Sequence, residues 1–299
     1  MCRRRTSLLF LTAAILVALT AAARALEPGL PSKTAIYIAA ARAMGSKNPN
    51  AKERNPDYLA IRFLGPEERA ILPELHLEAL DLDYEAALHR VGGVSVSNID
   101  TQTFRTKAFD AAMLDALKNG AKQVVVLGAG LDSRGYRFQR QLKGIRFMEV
   151  DYGPTQEYKK RRVKEVLGTI PPNVSFVPMD FTKDNLLDQL VKGGYSERDR
   201  TFFLWEGVTV YLPESAVKDT LHFVRDHAAP GSRLAFNYIP ARNSDINNPH
   251  SKYALWGEPW IFGFPDAGAA DYVRAEGLNV LSDNLRIEHI CIAAVPKRP

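Results

Sequence analysis

The sequence predicts an α/β fold in which helices flank a mainly parallel β-sheet and a helical region precedes that sheet. Two observations support this prediction. After Gly120, short runs of β-branched and aromatic residues alternate with stretches of helical periodicity, which is typical of βαβ units. Between Ser32 and Gly120, helical patterns dominate instead. A chain of 299 residues suffices for one large α/β domain with an appendage.

The composition is that of a globular protein. Hydrophobic residues make up 46% of the chain and charged residues 24%, which are ordinary values for a folded domain. These values exclude a disordered chain, a collagen-like fibre and a membrane protein with several spans.

The formal net charge of +5 does not indicate nucleic-acid binding. Residues 1–25 hold four arginines and no acid, and without them 35 basic residues face 34 acidic ones. The remaining charges are interspersed, whereas a polyanion-binding protein needs a basic stripe that neutralises several phosphates. We therefore expect no nucleic acid among the partners.

The N-terminus has the three parts of a secretory signal. Arginines at positions 3–5 precede an apolar run from Leu8 to Ala23, and Ala23-Arg24-Ala25 offers small residues at a cleavage site. The sequence thus predicts that residues 1–25 are a signal peptide or membrane anchor, and that the protein is exported or membrane-tethered. An uncleaved anchor and a start codon that cells do not use remain alternatives, the latter giving a cytoplasmic protein. Any membrane association is expected through residues 1–25 only.

The helical region is punctuated by prolines and glycines. Residues 26–33 are interpreted as a linker, and Ser32 is a plausible N-cap for a helix over residues 35–43. Pro66 stands in the first turn of another predicted helix. A long helix is predicted from about Asp100 to Asn119, closed by Gly120.

The second part of the chain alternates strands with helices. Three helices are predicted between the strands, over residues 155–167, 185–192 and 214–227. Ligands of parallel sheets bind beyond the C-terminal strand ends, where the strand order reverses. The six predicted strands are 123–127, 146–150, 174–178, 201–205, 233–238 and 287–295.

Two glycines follow the first predicted strand directly. Gly128 and Gly130 allow a sharp turn and the close approach of a ligand to the backbone. The pattern departs from the dinucleotide-binding fingerprint because Ser133 stands in place of the third glycine. Nor is Ser133 the centre of a G-x-S-x-G nucleophile elbow. A tight βα turn without a ligand remains the alternative.

Acidic residues follow the next three strands. Asp151 ends the second strand, 23 residues after Gly128, where a carboxylate can accept the two ribose hydroxyls of a nucleotide. Asp180, beside Phe181, follows the third strand and can accept from an adenine amino group. Glu206 follows the fourth. The alternatives are helix N-caps for both aspartates and an exposed loop charge for Glu206. Together these residues describe an adenosine-shaped cleft that suits an S-adenosylmethionine-dependent methyltransferase better than a dehydrogenase.

From Ser32 to about Val295 the chain resembles the leucine carboxyl methyltransferase-like family, in particular its bacterial S-adenosyl-L-methionine-dependent methyltransferase branch. The motifs that carry the resemblance cover the whole domain in order. They are Ser32-Lys-Thr-Ala with Ala41-Arg-Ala43, Asn55-Pro-Asp-Tyr-Leu59, Arg105-Thr-Lys-Ala-Phe-Asp110, Val126-Leu-Gly-Ala-Gly-Leu-Asp-Ser-Arg134, Val150-Asp-Tyr-Gly-Pro-Thr-Gln156 with Lys159, Met179-Asp-Phe181, Glu206-Gly-Val-Thr-Val-Tyr-Leu212 and Gly257-Glu-Pro259.

The resemblance implies a class I, Rossmann-like methyltransferase core over residues 121–299, with an N-terminal helical lid over residues 26–120. It implies S-adenosyl-L-methionine as cofactor and a role for each of seven residues. Asp151 would hold the ribose, and Asp180 and Phe181 the adenine. Gly128 would face the methionine part, Arg105 would pair with the methionine carboxylate with Lys33 as the second candidate, and Glu206 would lie near the methionine amino group.

The expected activity is methyl transfer to a carboxylate or hydroxyl oxygen of a small-molecule acceptor. Tyr211, Glu258 and Tyr238 are candidates to line the acceptor site, with core aromatics and a surface acid as their alternatives. The stretch from Tyr238 to Arg286 reads as short and polar. It departs from the family, so the acceptor is not transferable, and no catalytic residue is assigned.

Two other function classes stay open: an NAD-dependent oxidoreductase and a non-catalytic, cofactor-binding relative. The six histidines show no metal-binding spacing, so no metal is expected. Only two cysteines are present, and Cys291, in an apolar run, is expected to be a buried small hydrophobe.

Overall fold

The computed structural model describes residues 31–91, 94–181, 183–285 and 287–297. The predicted signal peptide or anchor over residues 1–25 lies outside the described residues. None of the helices formed by the described residues is both long enough and apolar enough to cross a bilayer.

The N-terminal region is helical, as the sequence predicts. Its helices begin where short polar side chains cap them: Ser32 accepts from the amide of Ala35, and Ser95 accepts from that of Asn98. The region contains α1 (Lys33–Ser46), α2 (Ala60–Phe63), α3 (Pro66–Ile71), α4 (Tyr84–Arg90), α5 (Val96–Lys118) and two 3₁₀ turns at Pro73–Leu75 and Leu77–Asp81.

The longest of these helices, α5, starts earlier than predicted. The sequence analysis places its start near Asp100, but the Ser95 cap sets its first residue at Val96. Its end is as expected: Gly120 follows with φ +90°, a conformation that L side chains rarely adopt.

The core alternates strands and helices. The strands are β1 (Gln123–Leu127), β2 (Arg146–Asp151), β3 (Val174–Pro178), β4 (Thr201–Trp205), β5 (Arg233–Tyr238), β6 (Asn279–Asn284) and β7 (His289–Ala294). The helices are α6 (Arg134–Arg137), α7 (Gly153–Leu167), α8 (Leu186–Lys192), α9 (Glu214–His227), α10 (Lys252–Leu255) and α11 (Ala270–Ala275), with a 3₁₀ turn at Thr209–Tyr211.

The seven strands form one sheet in the order β3-β2-β1-β4-β5-β7-β6. The strands from β1 to β5 pair in parallel, and β7 runs antiparallel to β5 and β6. The predicted α/β fold with a mainly parallel sheet is therefore confirmed. The strand order reverses between β1 and β4, so the ends of β1, β2, β3 and β4 meet at one edge of the sheet.

The stretch between Tyr238 and Arg286 is not the short polar connection that the sequence analysis describes. It contains α10, α11 and the edge strand β6, and its Phe264 is fully buried in the core. Tyr238 itself is 1% exposed and packs against Phe264, with ring centroids 5.0 Å apart. Tyr238 is therefore a core aromatic, which was the alternative to its predicted place in the acceptor site.

Cys291 has no exposed surface and lies within the core cluster on β7. This confirms its prediction as a buried small hydrophobe. Burial also raises the pKa of its thiol, which removes the thiolate that a nucleophile would need.

Candidate functional site

The loop after β1 has the geometry of a ligand-binding turn. Gly128 has φ +71° and donates its amide to Val150 O at 2.8 Å. A Cβ at Gly128 would clash with the Val208 side chain, and one at Gly130 would lie 3.3 Å from Ala35 Cβ on α1. The turn is therefore closely packed from both sides, and its glycines are needed for their lack of a side chain.

Asp151 ends β2 directly beside this loop. Its carboxylate accepts from the amide of Gly130 and, at 2.6 Å, from that of Tyr152. Burial raises the pKa of Asp151 to about 6 against the opposing effect of those two amides. The side chain does not cap α7, whose N-cap residue is Tyr152. It is half-buried at the end of the strand.

Asp180 and Phe181 lie beyond β3, next to the end of β2. The register pairs Asp151 with Pro178, so Asp180 follows two residues from the partner of Asp151. The Asp180 carboxylate forms an ion pair with the exposed Lys183 at 2.7 Å. Phe181 is half-buried and packs against the core cluster. Neither residue caps the following helix, because Asn185 does.

Glu206, after β4, lies between two arginines. Arg105 Nε lies 2.9 Å from Glu206 Oε1, and Arg134 NH1 lies 2.8 Å from Oε2. The Glu206 side chain is 10% exposed, so the alternative of an exposed loop charge is wrong. Burial raises the pKa of Glu206, but the two arginines outweigh burial and hold it below its usual range. Glu206 is thus a buried carboxylate that stays ionised.

Arg105 forms buried ion pairs rather than an exposed one. Asp110, on the same helix, binds Arg134 and Arg137 rather than Arg105. The second partner of Arg105 is Glu288, 3.6 Å away just before β7. Burial raises the pKa of Glu288 although Arg105 lowers it.

Sequence reasoning missed the ion network behind this pair. Arg134, Arg137 and Arg42 are buried and connect the loop after β1 to the helical region: Arg42 bonds both Asp57 and the carbonyl of Leu131. The only sequence signal for it is the Asp132-Ser-Arg134 end of the glycine motif. The network fixes the N-terminal helices to the glycine loop.

The carboxylate of Glu258 binds the N-terminus of α1. This carboxylate accepts from Ser32 Oγ at 2.8 Å, from the Lys33 amide at 2.6 Å and from the Thr34 amide and hydroxyl. It is 8% exposed, so it is not the surface acid of its alternative reading. Lys33, predicted to reach the methionine carboxylate, therefore starts a helix whose first turn is fixed by a residue far along the chain.

Tyr211 lies beside that contact, in the 3₁₀ turn after β4. Burial raises the pKa of Tyr211 to about 12, Glu258 adds to the rise, and a hydrogen bond with Thr34 opposes it. The phenol is therefore protonated at neutral pH and half-buried. The rings of Trp260 and Tyr253 stack on each other, with centroids 4.2 Å apart.

The structure thus gathers most of the predicted residues at the reversal of strand order. Gly128, Asp151, Asp180 and Glu206 follow β1, β2, β3 and β4 in turn, and Arg105 reaches this edge from α5. Tyr238 is not among them. Among residues 31–91, 94–181, 183–285 and 287–297, no group of three or more His, Cys, Asp or Glu side chains is arranged to hold a metal ion.

Comparison with known families gives one match. The sequence model of the leucine carboxyl methyltransferase family matches residues 35–225, which is more than half of the chain. The match runs from α1 through α9 and includes six of the seven predicted cofactor-binding residues, Lys33 being the exception.

Relatives of known name are bacterial. The chain is 35% identical over 161 residues to a Bacillus subtilis protein provisionally named S-adenosyl-L-methionine-dependent methyltransferase YktD, covering 54% of this chain and 52% of that protein. A provisionally named S-adenosyl-L-methionine-dependent methyltransferase of Mycolicibacterium gilvum is 30% identical, over 82% of this chain and 83% of its own length. The chain thus spans only about half the length of the first relative.

Solved structures of similar shape share little sequence. An O-methyltransferase family protein from Burkholderia thailandensis is 15% identical with a TM-score of 0.45, over 82% of this chain and 74% of its own. Human N-acetylserotonin methyltransferase in complex with S-adenosylmethionine is 13% identical with a TM-score of 0.45, over 86% and 67% respectively.

Proposed function

The chain belongs to the leucine carboxyl methyltransferase family, and from that premise we propose that it is an S-adenosyl-L-methionine-dependent methyltransferase. One observation carries the proposal: a glycine turn after β1 and acids after β2, β3 and β4 share one sheet edge, with a buried Arg105–Glu206 pair beside them. An NAD-dependent oxidoreductase would need neither the acids after β3 and β4 nor that pair.

The adenosine half of the cofactor fits the ends of β2 and β3. Asp151 is half-buried and already accepts two backbone amides, so a carboxylate oriented in this way can also accept ribose hydroxyls. Asp180 can accept a hydrogen bond from the adenine amino group once its ion pair with Lys183 has broken. That ion pair is exposed and easily broken. Phe181 offers an apolar face for the base.

The methionine half fits the turn after β1 and the buried pair. Gly128 carries no side chain, because one would clash with Val208, and its bare backbone can face the amino acid part. The guanidinium of Arg105 suits a carboxylate, which it can meet with two parallel hydrogen bonds. Glu206 is ionised and suits an ammonium. Lys33, at the start of α1, is the second candidate for the carboxylate.

When bound, S-adenosyl-L-methionine supplies an electrophilic methyl group on a sulfonium sulfur. Methyl transfer to an acceptor oxygen would leave the cofactor as its thioether, S-adenosylhomocysteine. The chain aligns the two reactants and excludes water, for which α1 is well placed because Glu258 fixes its first turn over the glycine loop.

We further propose that the acceptor is a small molecule that receives the methyl group on a carboxylate or hydroxyl oxygen. A carboxylate needs no general base, which fits a site in which Glu258 already accepts from four donors. Tyr211 is protonated and can donate a hydrogen bond to an acceptor oxygen. Nucleic acid is not a proposed partner.

Calorimetry and a transfer assay on the full chain test the function. We expect S-adenosylhomocysteine to bind and NADH not to bind, and methyl from labelled cofactor to appear in one or more members of a panel of carboxylic and phenolic acceptors. Binding of NADH instead would overturn the proposal. S-adenosylhomocysteine binding with no transfer to the panel or to a cell extract would indicate the non-catalytic relative.

A further inference from the structure

Arg134 is a buried arginine for which the proposed cofactor contacts give no role. Its side chain is 4% exposed and carries three ion pairs: NH1 with Glu206 at 2.8 Å, Nε with Asp110 at 2.7 Å, and NH1 with Asp132. These acids hold its pKa well above the usual value despite burial, so the guanidinium is charged at any working pH.

Arg105 and Arg134 divide the two oxygens of Glu206 between them. Arg105 takes Oε1 and Arg134 takes Oε2. The two arginines differ in what else fixes them. Arg105 has one further acid, Glu288, at the longer distance of 3.6 Å. Arg134 is fixed by Asp110 and Asp132 together.

The two acids that fix Arg134, Asp110 and Asp132, form further bonds of their own. Asp110 Oδ2 also pairs with Arg137 NH1 at 2.9 Å, and the amide of Arg134 donates to Asp132 Oδ1 at 2.7 Å. Arg134 therefore cannot leave Glu206 without breaking several buried charge-assisted hydrogen bonds. Arg105 can instead exchange its single close ion pair, the one with Glu206, for a pair with another carboxylate.

An α-amino carboxylate carries charges complementary to the Arg105–Glu206 pair. Its carboxylate can replace Glu206 as the partner of Arg105, and its ammonium can replace Arg105 at Glu206 Oε1. Resting on the proposed function, we propose that Arg134 is a positioning residue that keeps Glu206 ionised and directed at the ligand ammonium when Arg105 exchanges Glu206 for the ligand carboxylate.

The charges around Glu206 explain why a fixed cation is needed. Besides Arg105 and Arg134, Glu206 faces Asp132, which disfavours its ionisation, and the more distant Arg42, which favours it. Glu288 adds a further acid beyond Arg105. Without Arg134, a buried carboxylate would face these acids with a single exchangeable arginine, and its pKa would rise toward neutral pH.

The test compares how the full chain recognises the two charged groups of the ligand. Calorimetry from pH 6 to pH 8, where the ligand keeps its ammonium, would measure the affinity for S-adenosylhomocysteine, for its analogue without the amino group and for its analogue without the carboxylate. In the wild type we expect loss of the amino group to weaken binding at least tenfold, equally across this range.

In Arg134→Met we expect amino-group discrimination to fall at least fivefold at pH 6 and to recover toward pH 8, where Glu206 ionises. Carboxylate discrimination should remain, because Arg105 carries it. The matched control is Arg137→Met, an equally buried arginine that also pairs with Asp110 but does not contact Glu206. It should lower stability while leaving amino-group discrimination and its pH profile as in the wild type.

If Arg134→Met does not fold, Arg134→Lys and Asp110→Asn, which loosens Arg134, should show the same loss to a smaller extent. A pH-independent profile with unchanged amino-group discrimination in the folded variants would overturn the inference, as would an equal loss for both groups. A wild type that binds no S-adenosylhomocysteine would instead overturn the proposed function itself.

Discussion

Lys159 Nζ lies 2.8 Å from Glu149 Oε2, and neither side chain is more than 1% exposed. Tyr136 donates its hydroxyl to the same oxygen at 3.3 Å. Burial raises the pKa of Glu149, and the ammonium of Lys159 opposes that rise. Glu149 lies two residues before Asp151 on β2, and Lys159 lies on α7. Lys159 also opposes the rise in the pKa of Asp151 that burial causes.

Removing one partner of this pair should be costly. We expect Lys159→Met to lower the free energy of unfolding by about 3–5 kcal/mol, because it leaves Glu149 buried without a cation. The double variant Lys159→Met/Glu149→Leu should recover much of that loss, since both charges are then gone. Urea unfolding followed by circular dichroism measures both. Equal losses in the single and double variants would contradict the expected effect.

The raised pKa of Asp151 predicts how cofactor affinity depends on pH. Ribose hydroxyls need an ionised acceptor, and the pKa of Asp151 is about 6. Affinity for S-adenosylhomocysteine should therefore rise by about tenfold per unit from pH 5 toward pH 6 and level off above pH 7. Calorimetry in matched buffers measures it, and Asp151→Asn should bind more weakly with no such slope. A wild-type profile that matches that of the asparagine variant would refute the assignment.

The same group affects stability with the opposite slope. Because the folded chain binds the Asp151 proton more tightly than the unfolded chain, its contribution to the free energy of unfolding falls as pH rises from about 4 to about 6. Above pH 6 that contribution is constant. The cofactor-free protein should show this fall in thermal unfolding relative to Asp151→Asn, and the difference should disappear if Asp151 is not the titrating group.

Asp180 should determine recognition of the adenine. We expect Asp180→Ala to reduce the preference for S-adenosylhomocysteine over its inosine analogue by at least fivefold, since one hydrogen bond to a charged acceptor is lost. The control is Lys183→Met, which removes the exposed ion-pair partner and keeps the carboxylate. It should leave the preference unchanged. An alanine variant that still discriminates as strongly as the wild type would exclude a contact with the amino group.

Gly128 should tolerate no side chain. Gly128→Ala places a Cβ against Val208 at a backbone conformation of φ +71°, so we expect a loss of about 1–3 kcal/mol in the free energy of unfolding. Gly153→Ala is the matched control, because nothing lies within 4 Å of its added Cβ and α7 begins there. Thermal unfolding should separate the two. Equal stability of both variants would contradict the close packing of the turn.

Glu258 should govern the mobility of the first turn of α1. We expect Glu258→Ala to speed amide exchange at Lys33 and Thr34 by at least tenfold and to speed the release of S-adenosylhomocysteine. Asp83→Ala, which removes the cap of α4 instead, should speed exchange there and leave α1 unchanged. If the Glu258 variant and the wild type exchange equally in α1, Glu258 does not hold this helix.

The strands could be predicted from the sequence because local patterns determine them. Runs such as Gln123–Leu127 and Thr201–Trp205 are apolar after their first residue and buried throughout, which is typical of parallel strands covered on both faces. Strand β6 was missed because Asn279–Asn284 is largely polar and lies at the sheet edge, where only one neighbouring strand orders it.

The site could be predicted only in part. Strand ends and glycines reveal where Asp151, Asp180 and Glu206 lie, since parallel strands end at one edge. Their partners are different: Arg105 and Glu206 are 101 residues apart, and Arg134 and Glu206 are 72 apart. No periodicity or spacing connects residues at such separations, so burial of Glu206 between two arginines emerges only from the fold.

The bond between Lys33 and Glu258 has a consequence for how the protein matures on the ribosome. Its two residues are 225 positions apart. At roughly 5–20 residues per second, synthesis needs about 10–45 s to proceed from one to the other. During that interval α1 has left the exit tunnel with its buried alanines and Met44 but without the contact that closes its first turn. Among the described residues, α1 is the first helix to be synthesised and waits longest for its closing contact, so truncations that stop before Glu258 should leave its first turn open.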